Sequence, residues 1–338
     1  MHQPLRVGIA GFGLAGRVFH APLIAATDGL EVAAVQTGAP ERAAQARATY
    51  PGARVVGGLD ELLDDIDVLV VATPNSSHVP IAVAGLERGL AVVVDKPLAS
   101  TVADARTLVA TPGRLTVFQN RRWDGDFLTV QRLVAAGDLG DIVRLESRFE
   151  RFNPSVEGWR ESPDPAEGGG QLLDLGAHLV DQAVLLLGPP VAVYGEVDQR
   201  RPGAQVDDDV FIALEHPGGA RSHLWMSKTA PLHGPRLRVG GLRGGFACDG
   251  VDPQEAQLDA GMLPGEPGYG EGSPGWREDG TAVPLERGRY EDFYAGVRDW
   301  ARGEAAAPVD PAESVRVLEI LEAARRSAER REVIAGAW

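Results

Sequence analysis

The stretch Leu5-Arg6-Val7-Gly8-Ile9-Ala10-Gly11-Phe12-Gly13-Leu14-Ala15-Gly16 sets a mostly apolar run directly before three glycines spaced G-x-G-x-x-G, and Ala15–His20 continues it as a helix start. A strand, a tight turn and a helix in that order aim backbone N–H groups at the helix N-terminus, where an anion is favoured. The first glycine allows the turn, the second lets a pyrophosphate approach the backbone, and the third lets the helix pack closely on the strand. In a chain of 42 glycines the bare spacing is weak. The preceding strand, the following helix and a second apolar run, Leu30–Gln36, at the distance a βαβ unit requires turn it into a dinucleotide-site expectation.

The pattern continues through the first third of the chain. Short apolar runs at Arg54–Val56, Asp67–Ala72, Ala91–Val94 and Leu115–Phe118 alternate with helix-like segments. Continuously apolar strands separated by helices imply a parallel sheet covered on both faces, so residues 1–120 read as a doubly wound α/β domain of the Rossmann type. After Asn120 the pattern changes. Asp126–Ala136 and Gly170–Leu187 read as helices, the latter as one long helix, and strand-like runs then follow in succession at Val191–Glu196, Val210–His216, Ala220–Ser227, Arg236–Val239 and Gly245–Cys248, with Ile142–Phe149 ahead of them. Short links such as Pro217-Gly218-Gly219 imply antiparallel pairing, hence an α+β domain over 121–338 with a largely antiparallel open sheet. Gly261–Gly275 reads as an irregular loop, and Tyr290–Ala301 and Ala312–Ala328 return to helical periodicity.

Bulk properties narrow the function. The 338 residues suit two domains at roughly 100–200 residues each. A formal net charge of -15 without a basic patch repels a phosphate backbone, so nucleic acid is not an expected partner. Cys248 is the single cysteine, which rules out an intramolecular disulfide and a cysteine metal cluster. No signal-peptide pattern opens the chain and no window is apolar over the roughly 18 residues of a membrane helix, so a cytoplasmic protein with no membrane partner is expected.

At the end of the second strand an NAD enzyme usually carries Asp or Glu to accept the ribose 2′-hydroxyl. Here the chain reads Val35-Gln36-Thr37-Gly38-Ala39-Pro40-Glu41-Arg42, with no acid at the strand end and with Thr37 and Arg42 able to receive a 2′-phosphate. NADP is therefore the expected cofactor, with NAD as the alternative in which Arg42 is only a solvated residue at a helix start. Polar clusters at other strand ends, Thr73–His78, Asp95-Lys96-Pro97 and Gln119–Trp123, lie where doubly wound sheets bind ligands. Lys96 suits a cation that stabilises the oxyanion formed when an alcohol carbon gives up hydride. In a helix, Asp174, His178 and Asp181 fall on one face. His178 can take up and return the hydroxyl proton, with Asp174 orienting it. Two acids and one histidine make a poor zinc site, so no metal is expected.

Taken together, Gly11–Pro22 (GFGLAGRVFHAP), Ala72–His78 (ATPNSSH), Asp95–Pro97 (DKP), Asn120–Phe127 (NRRWDGDF), Trp159-Arg160 and Gly168–Asp181 (GGGQLLDLGAHLVD) resemble the Gfo/Idh/MocA oxidoreductases, in that family's order and over most of the chain. NRRWDGDF and GRVFHAP are most similar to the subgroup containing NADP-dependent scyllo-inositol dehydrogenases. The resemblance implies that Lys96, Asp174 and His178 are the catalytic trio. It implies that Thr73, Pro74, Asn75 and His78 form a loop along the dinucleotide, joined by Asn120, that Arg121 lies near substrate, and that Trp159 and Arg160 lie near the cofactor. It further implies that the second-domain sheet packs against another copy, giving a homodimer or homotetramer. Asp95 stands where the family usually has Glu, which shortens the reach of the carboxylate.

The reading that results is an oxidoreductase moving hydride between NADP, or NAD, and a hydroxyl or carbonyl of a small polyol, inositol or sugar. Two others stay open: a dinucleotide-binding sensor without catalysis, disfavoured by the presence of Lys96, Asp174 and His178, and a hydrolase that oxidises a sugar transiently and returns its NAD unchanged. Which polyol or sugar is used depends on side chains whose facing the sequence does not reveal.

Overall fold

A computed structural model describes residues 3–157 and 161–338. The chain forms two compact units. The first holds the chain through Trp123 together with Pro253–Gly270 and Arg289–Ser314, and the second holds Asp124–Asp252, Glu271–Gly288 and Val315–Trp338. Both units are thus built from segments far apart in sequence.

In the first unit, β1 (Leu5–Ala10), β2 (Leu30–Gln36), β3 (Arg54–Val56), β4 (Val68–Val71), β5 (Ala91–Asp95) and β6 (Arg114–Phe118) form one sheet in the order β3-β2-β1-β4-β5-β6, every pairing parallel. The order reverses between β1 and β4, so the loops after these strands face a crevice at their carboxyl ends. All four residues of β4 and Ala91–Val94 of β5 are buried, which is why these strands read as unbroken apolar runs.

The helix after β1 contains Pro22, which has no N–H to give the preceding turn. Ala15–His20 accordingly winds as a wider, π-type helical turn before α1 (Ala21–Ala25), so the proline sits in the first turn of α1. The remaining helices of this unit are α2 (Pro40–Thr49), α3 (Leu59–Leu63), α4 (His78–Glu87) and α5 (Val102–Ala110). Gly85 lets α4 lie close on the sheet, because a Cβ there would stand 2.6 Å from a Leu69 methyl.

The second unit begins with α6 (Gly125–Ala135) and β7 (Ile142–Glu150), then α7 (Gln171–Asp174) and α8 (Gly176–Leu187). The single helix expected over Gly170–Leu187 is therefore two. They meet at Leu175, with φ -102°, next to Gly176, whose Cβ would stand 2.9 Å from a Leu321 methyl. Strands β8 (Ala192–Asp198), β9 (Asp209–Glu215), β10 (Arg221–Ser227), β11 (Leu237–Gly241) and β12 (Gly245–Cys248) join β7 in a mixed sheet in which only β7–β10 is parallel. After α9 (Gln254–Asp259), two short edge strands, β13 (Gly275–Trp276) and β14 (Ala282–Val283), extend it on one side.

Helices α10 (Glu291–Ala301) and α11 (Pro311–Arg330) close the chain with β15 (Ile334–Ala335), which pairs with β8 at the opposite edge. Three of these nine strands have only two residues each, too few to show alternation, and none of the three was expected. On β9, Val210, Ile212 and Leu214 face the core, while Phe211 and Ala213 are half-exposed. That period of two marks a sheet with one buried face. Among the described residues no helix is long and apolar enough to cross a membrane.

Candidate functional site

The glycines after β1 differ in what surrounds them. Gly11 has φ +93°, and a Cβ there would lie 2.6 Å from the Ala72 carbonyl oxygen at the end of β4. At Gly16 a Cβ would meet the Gly11 carbonyl at 2.1 Å. Both are glycine because the fold requires it. A Cβ on Gly13 would find only the Arg42 Nη1, at 3.8 Å, so this backbone is open on one side. A turn closed at its first and third glycines and open at its second is a cradle that fits a dinucleotide pyrophosphate. Phe12 is buried with its ring edge-on to Tyr50 at 6.4 Å, and Leu14 is exposed. Burial of Tyr50 pushes its phenol up to about 12.

The other first-unit residues expected in the site lie at the carboxyl ends of the same sheet. Thr37 follows β2, its Oγ1 3.4 Å from the Ala39 N–H, and Arg42 is exposed in the first turn of α2. After β4 the chain makes a short helical turn, Asn75–Ser77, in which the Ser77 hydroxyl lies 2.8 Å from both the Thr73 hydroxyl and the Pro74 carbonyl. His78 is buried, with Nδ1 3.0 Å from the Pro97 carbonyl and Nε2 3.0 Å from the Thr73 carbonyl. At the end of β5, Asp95 Oδ1 accepts the backbone N–H of Lys96 at 2.9 Å, which shows what the shorter carboxylate does here. After β6, Asn120 and Arg121 are buried, and the Arg121 guanidinium donates to Glu255 of α9 at 3.1 Å.

Sequence reasoning left out the layer beneath Asp95. His20 is fully buried, with Nδ1 2.6 Å from the Tyr294 hydroxyl and Nε2 3.9 Å from Asp95 Oδ1. Burial, opposed by the Asp95 charge and reinforced by that of His78, brings the imidazole down to about 4, so the ring is neutral at neutral pH. Burial, with the Asp95 charge adding, holds the Tyr294 phenol well above its ordinary range. Tyr294 is about 270 residues from His20 in sequence, and nothing local announces the pair.

In the second unit, Asp174 ends α7 and His178 lies in the first turn of α8, both buried together with Gln171, Asp181 and Gln182. The helix break puts Asp174 on α7 and His178 and Asp181 on α8, and all three are buried rather than solvated. The start of α7 is fixed by Asp207, another residue the sequence did not single out: Oδ2 accepts the Leu172 N–H at 2.7 Å, and the Asp207 carbonyl accepts the Gln171 N–H at 3.0 Å. Gly170, at φ +98°, makes room for it, since a Cβ there would stand 2.4 Å from Asp207 Oδ1. Burial raises the Asp207 carboxyl above its ordinary value against the pull of the Leu172 N–H and Arg325. Trp159 and Arg160 lie outside the described residues. Cys248 is buried and its thiol is pushed up to about 12, by burial first, which makes it a packing residue.

Residues 5–117 match the model of the oxidoreductase family with an NAD-binding Rossmann fold, and residues 127–247 match that of the GFO/IDH/MocA C-terminal domain. The uncharacterised oxidoreductase YdgJ of Escherichia coli is 40% identical over 98% of both chains. The scyllo-inositol 2-dehydrogenase (NADP(+)) IolW of Bacillus subtilis is 33% identical over 98% of this chain and 95% of its own. A solved structure of Bacillus subtilis yvaA superposes with a TM-score of 0.93 at 32% identity, covering 99% of each chain. With the parallel sheet, the glycine cradle and both domain matches in place, the chain is an oxidoreductase and belongs to the Gfo/Idh/MocA family.

Proposed function

We propose that this enzyme moves hydride between NADP and a hydroxyl or carbonyl of a small polyol, an inositol or a sugar. The observation that carries the cofactor half is the glycine turn: closed at Gly11 and Gly16, open at Gly13, with the Arg42 guanidinium 3.8 Å from where a Gly13 side chain would begin. A cation at that position, and Thr37 rather than a carboxylate after β2, favour a 2′-phosphate over a free 2′-hydroxyl. The name of the relative IolW, an NADP(+) scyllo-inositol 2-dehydrogenase, supports the same reading.

When bound, the nicotinamide supplies or accepts the hydride. The chain would hold the dinucleotide through the backbone of Gly11, Phe12, Gly13, Leu14, Ala15 and Gly16 at its pyrophosphate, with Thr37 and Arg42 toward the 2′-phosphate and Thr73, Pro74, Asn75 and Asn120 along the rest of it. Lys96, on a backbone pinned by Asp95, places its ammonium at the substrate oxygen and stabilises the negative charge that grows there. His178 takes the hydroxyl proton in oxidation and returns it in reduction. Asp174 orients His178, and Arg121 adds a cation for the substrate.

We propose further that the second unit's sheet packs against a second copy. Its open face carries half-exposed Tyr194, Phe211, His223 and Trp225 in ring contact, with the Arg148 guanidinium 3.9 Å above the Trp225 ring. Light scattering tests this: a dimer or tetramer is expected, shifted toward monomer in Trp225→Glu, and a wild-type monomer would dispose of the idea.

The function is tested by incubating the protein with NADP or NAD and a panel of inositols, aldoses and polyols, following reduced nicotinamide by absorbance. Net reduction that is faster with NADP is expected. Release of sugar from a glycoside with no net cofactor change would instead mark a hydrolase, and dinucleotide binding without turnover of any substrate would mark a sensor.

A further inference from the structure

The ring of His78 stands between two segments of the first unit that the proposed reaction uses for different purposes. Its Nε2 faces the carbonyl of Thr73, the first residue after Ala72 in the loop that follows β4. Its Nδ1 faces the carbonyl of Pro97, directly after Lys96 at the end of β5, and both separations are 3.0 Å. Carbonyl oxygens only accept, so each of these contacts is a hydrogen bond only when the ring nitrogen facing it donates: a ring with one N–H bonds one carbonyl and packs against the other, and a ring with two bonds both. The ring is 1% exposed, so water does not compete for either carbonyl at the ring.

Each segment has its own local bond besides. Ser77 binds back to Thr73 and Pro74, and Asp95 accepts the Lys96 N–H. Those bonds shape each loop separately. His78 is a side chain that joins them, and it does so from the first residue of α4, a helix packed on β4 and β5.

We infer that His78 is a positioning residue that couples the dinucleotide loop to the lysine turn, so that cofactor binding and the placement of Lys96 are set together. The inference rests on the reading that the Thr73–Ser77 loop lies along the dinucleotide and that Lys96 is catalytic. On this view His78 touches neither cofactor nor substrate. A merely structural histidine would affect stability alone, whereas a coupling histidine affects two kinetic constants at once.

The experiment compares wild type, His78→Ala, His78→Gln and Lys96→Ala in the intact protein. NADPH Kd is read by its own fluorescence, kcat is measured at saturating NADP, and melting temperature serves as the control for folding. His78→Ala loses the ring's N–H donation, and losing a buried hydrogen bond is expected to raise Kd roughly tenfold and to lower kcat by a similar factor even at saturation. His78→Gln, whose amide donates, recovers part of both. A His78→Ala protein with lower melting temperature but wild-type Kd and kcat would overturn the inference, as would equal impairment of the Ala and Gln variants, since the donors would then not matter. Turnover that survives Lys96→Ala would remove the lysine half together with the reading beneath it. The Kd of His78→Ala would still decide the dinucleotide half by itself.

Discussion

Replacing Gly13 with alanine separates a glycine kept for the fold from one kept for a ligand. Gly13 is not among the glycines with positive φ, and its new methyl carbon would have only the Arg42 Nη1 within reach, at 3.8 Å. In such a place Gly→Ala narrows the unfolded ensemble and is worth about 0.4–1 kcal/mol of added stability. The same methyl occupies the space a pyrophosphate needs against the backbone, and overfilling a close-packed contact costs about 1–3 kcal/mol, or roughly 5- to 150-fold in Kd.

Gly11→Ala behaves oppositely. It forces a side chain onto φ +93° with its Cβ 2.6 Å from the Ala72 carbonyl, so strain of about 1–2 kcal/mol adds to a clash of about 1–3 kcal/mol, and the fold suffers first. Urea unfolding paired with NADP titration reads both quantities. A Gly13→Ala protein that binds NADP as tightly as wild type would refute the assignment of the open cradle. One that unfolds as readily as Gly11→Ala would refute the claim that the space there is free.

Buried His20 ties stability to pH. Its imidazole is depressed from 6.5 to about 4 in the fold, so its contribution is fully present above pH 6.5 and is lost as pH falls through about 4. At about 1.36 kcal/mol per unit this amounts to roughly 3 kcal/mol, seen as a falling urea midpoint between those pH values that flattens in His20→Gln; an unchanged pH slope in that variant would exclude the histidine as its source. Arg42→Ala is expected to weaken NADP binding roughly 10- to 100-fold while leaving NAD within about twofold, because only the former carries the 2′-phosphate; equal losses for both cofactors by titration would remove Arg42 from the specificity argument.

How much of this was legible in sequence follows the range of the interactions. The central strands β4 and β5 read directly because buried parallel strands are apolar along their length, and the glycine turn read directly because its constraints act within a few residues. The break at Leu175 did not, and the residue packed against Gly176 beside it is Leu321, far along the chain on the last helix. For the same reason the supports of the site stayed hidden. Tyr294 reaches His20, Glu255 reaches Arg121 and Asp207 reaches the start of α7 across long stretches of chain, and no periodicity encodes such pairs. The polar spacing of Asp174, His178 and Asp181 was visible as a pattern, whereas their division between two helices and their burial are properties of packing alone.

Lys96 and His178 carry the chemistry proposed here, and steady-state turnover of an inositol or sugar substrate with NADP, in wild type, Lys96→Ala and His178→Ala, examines both together. Loss of the oxyanion partner is expected to cost kcat on the order of 10²–10³-fold, and loss of the proton carrier on the order of 10²–10⁴-fold, with NADP binding retained in the histidine variant. Turnover near the wild-type rate in either variant, with the cofactor still bound, would contradict the assignment of that residue to the reacting oxygen.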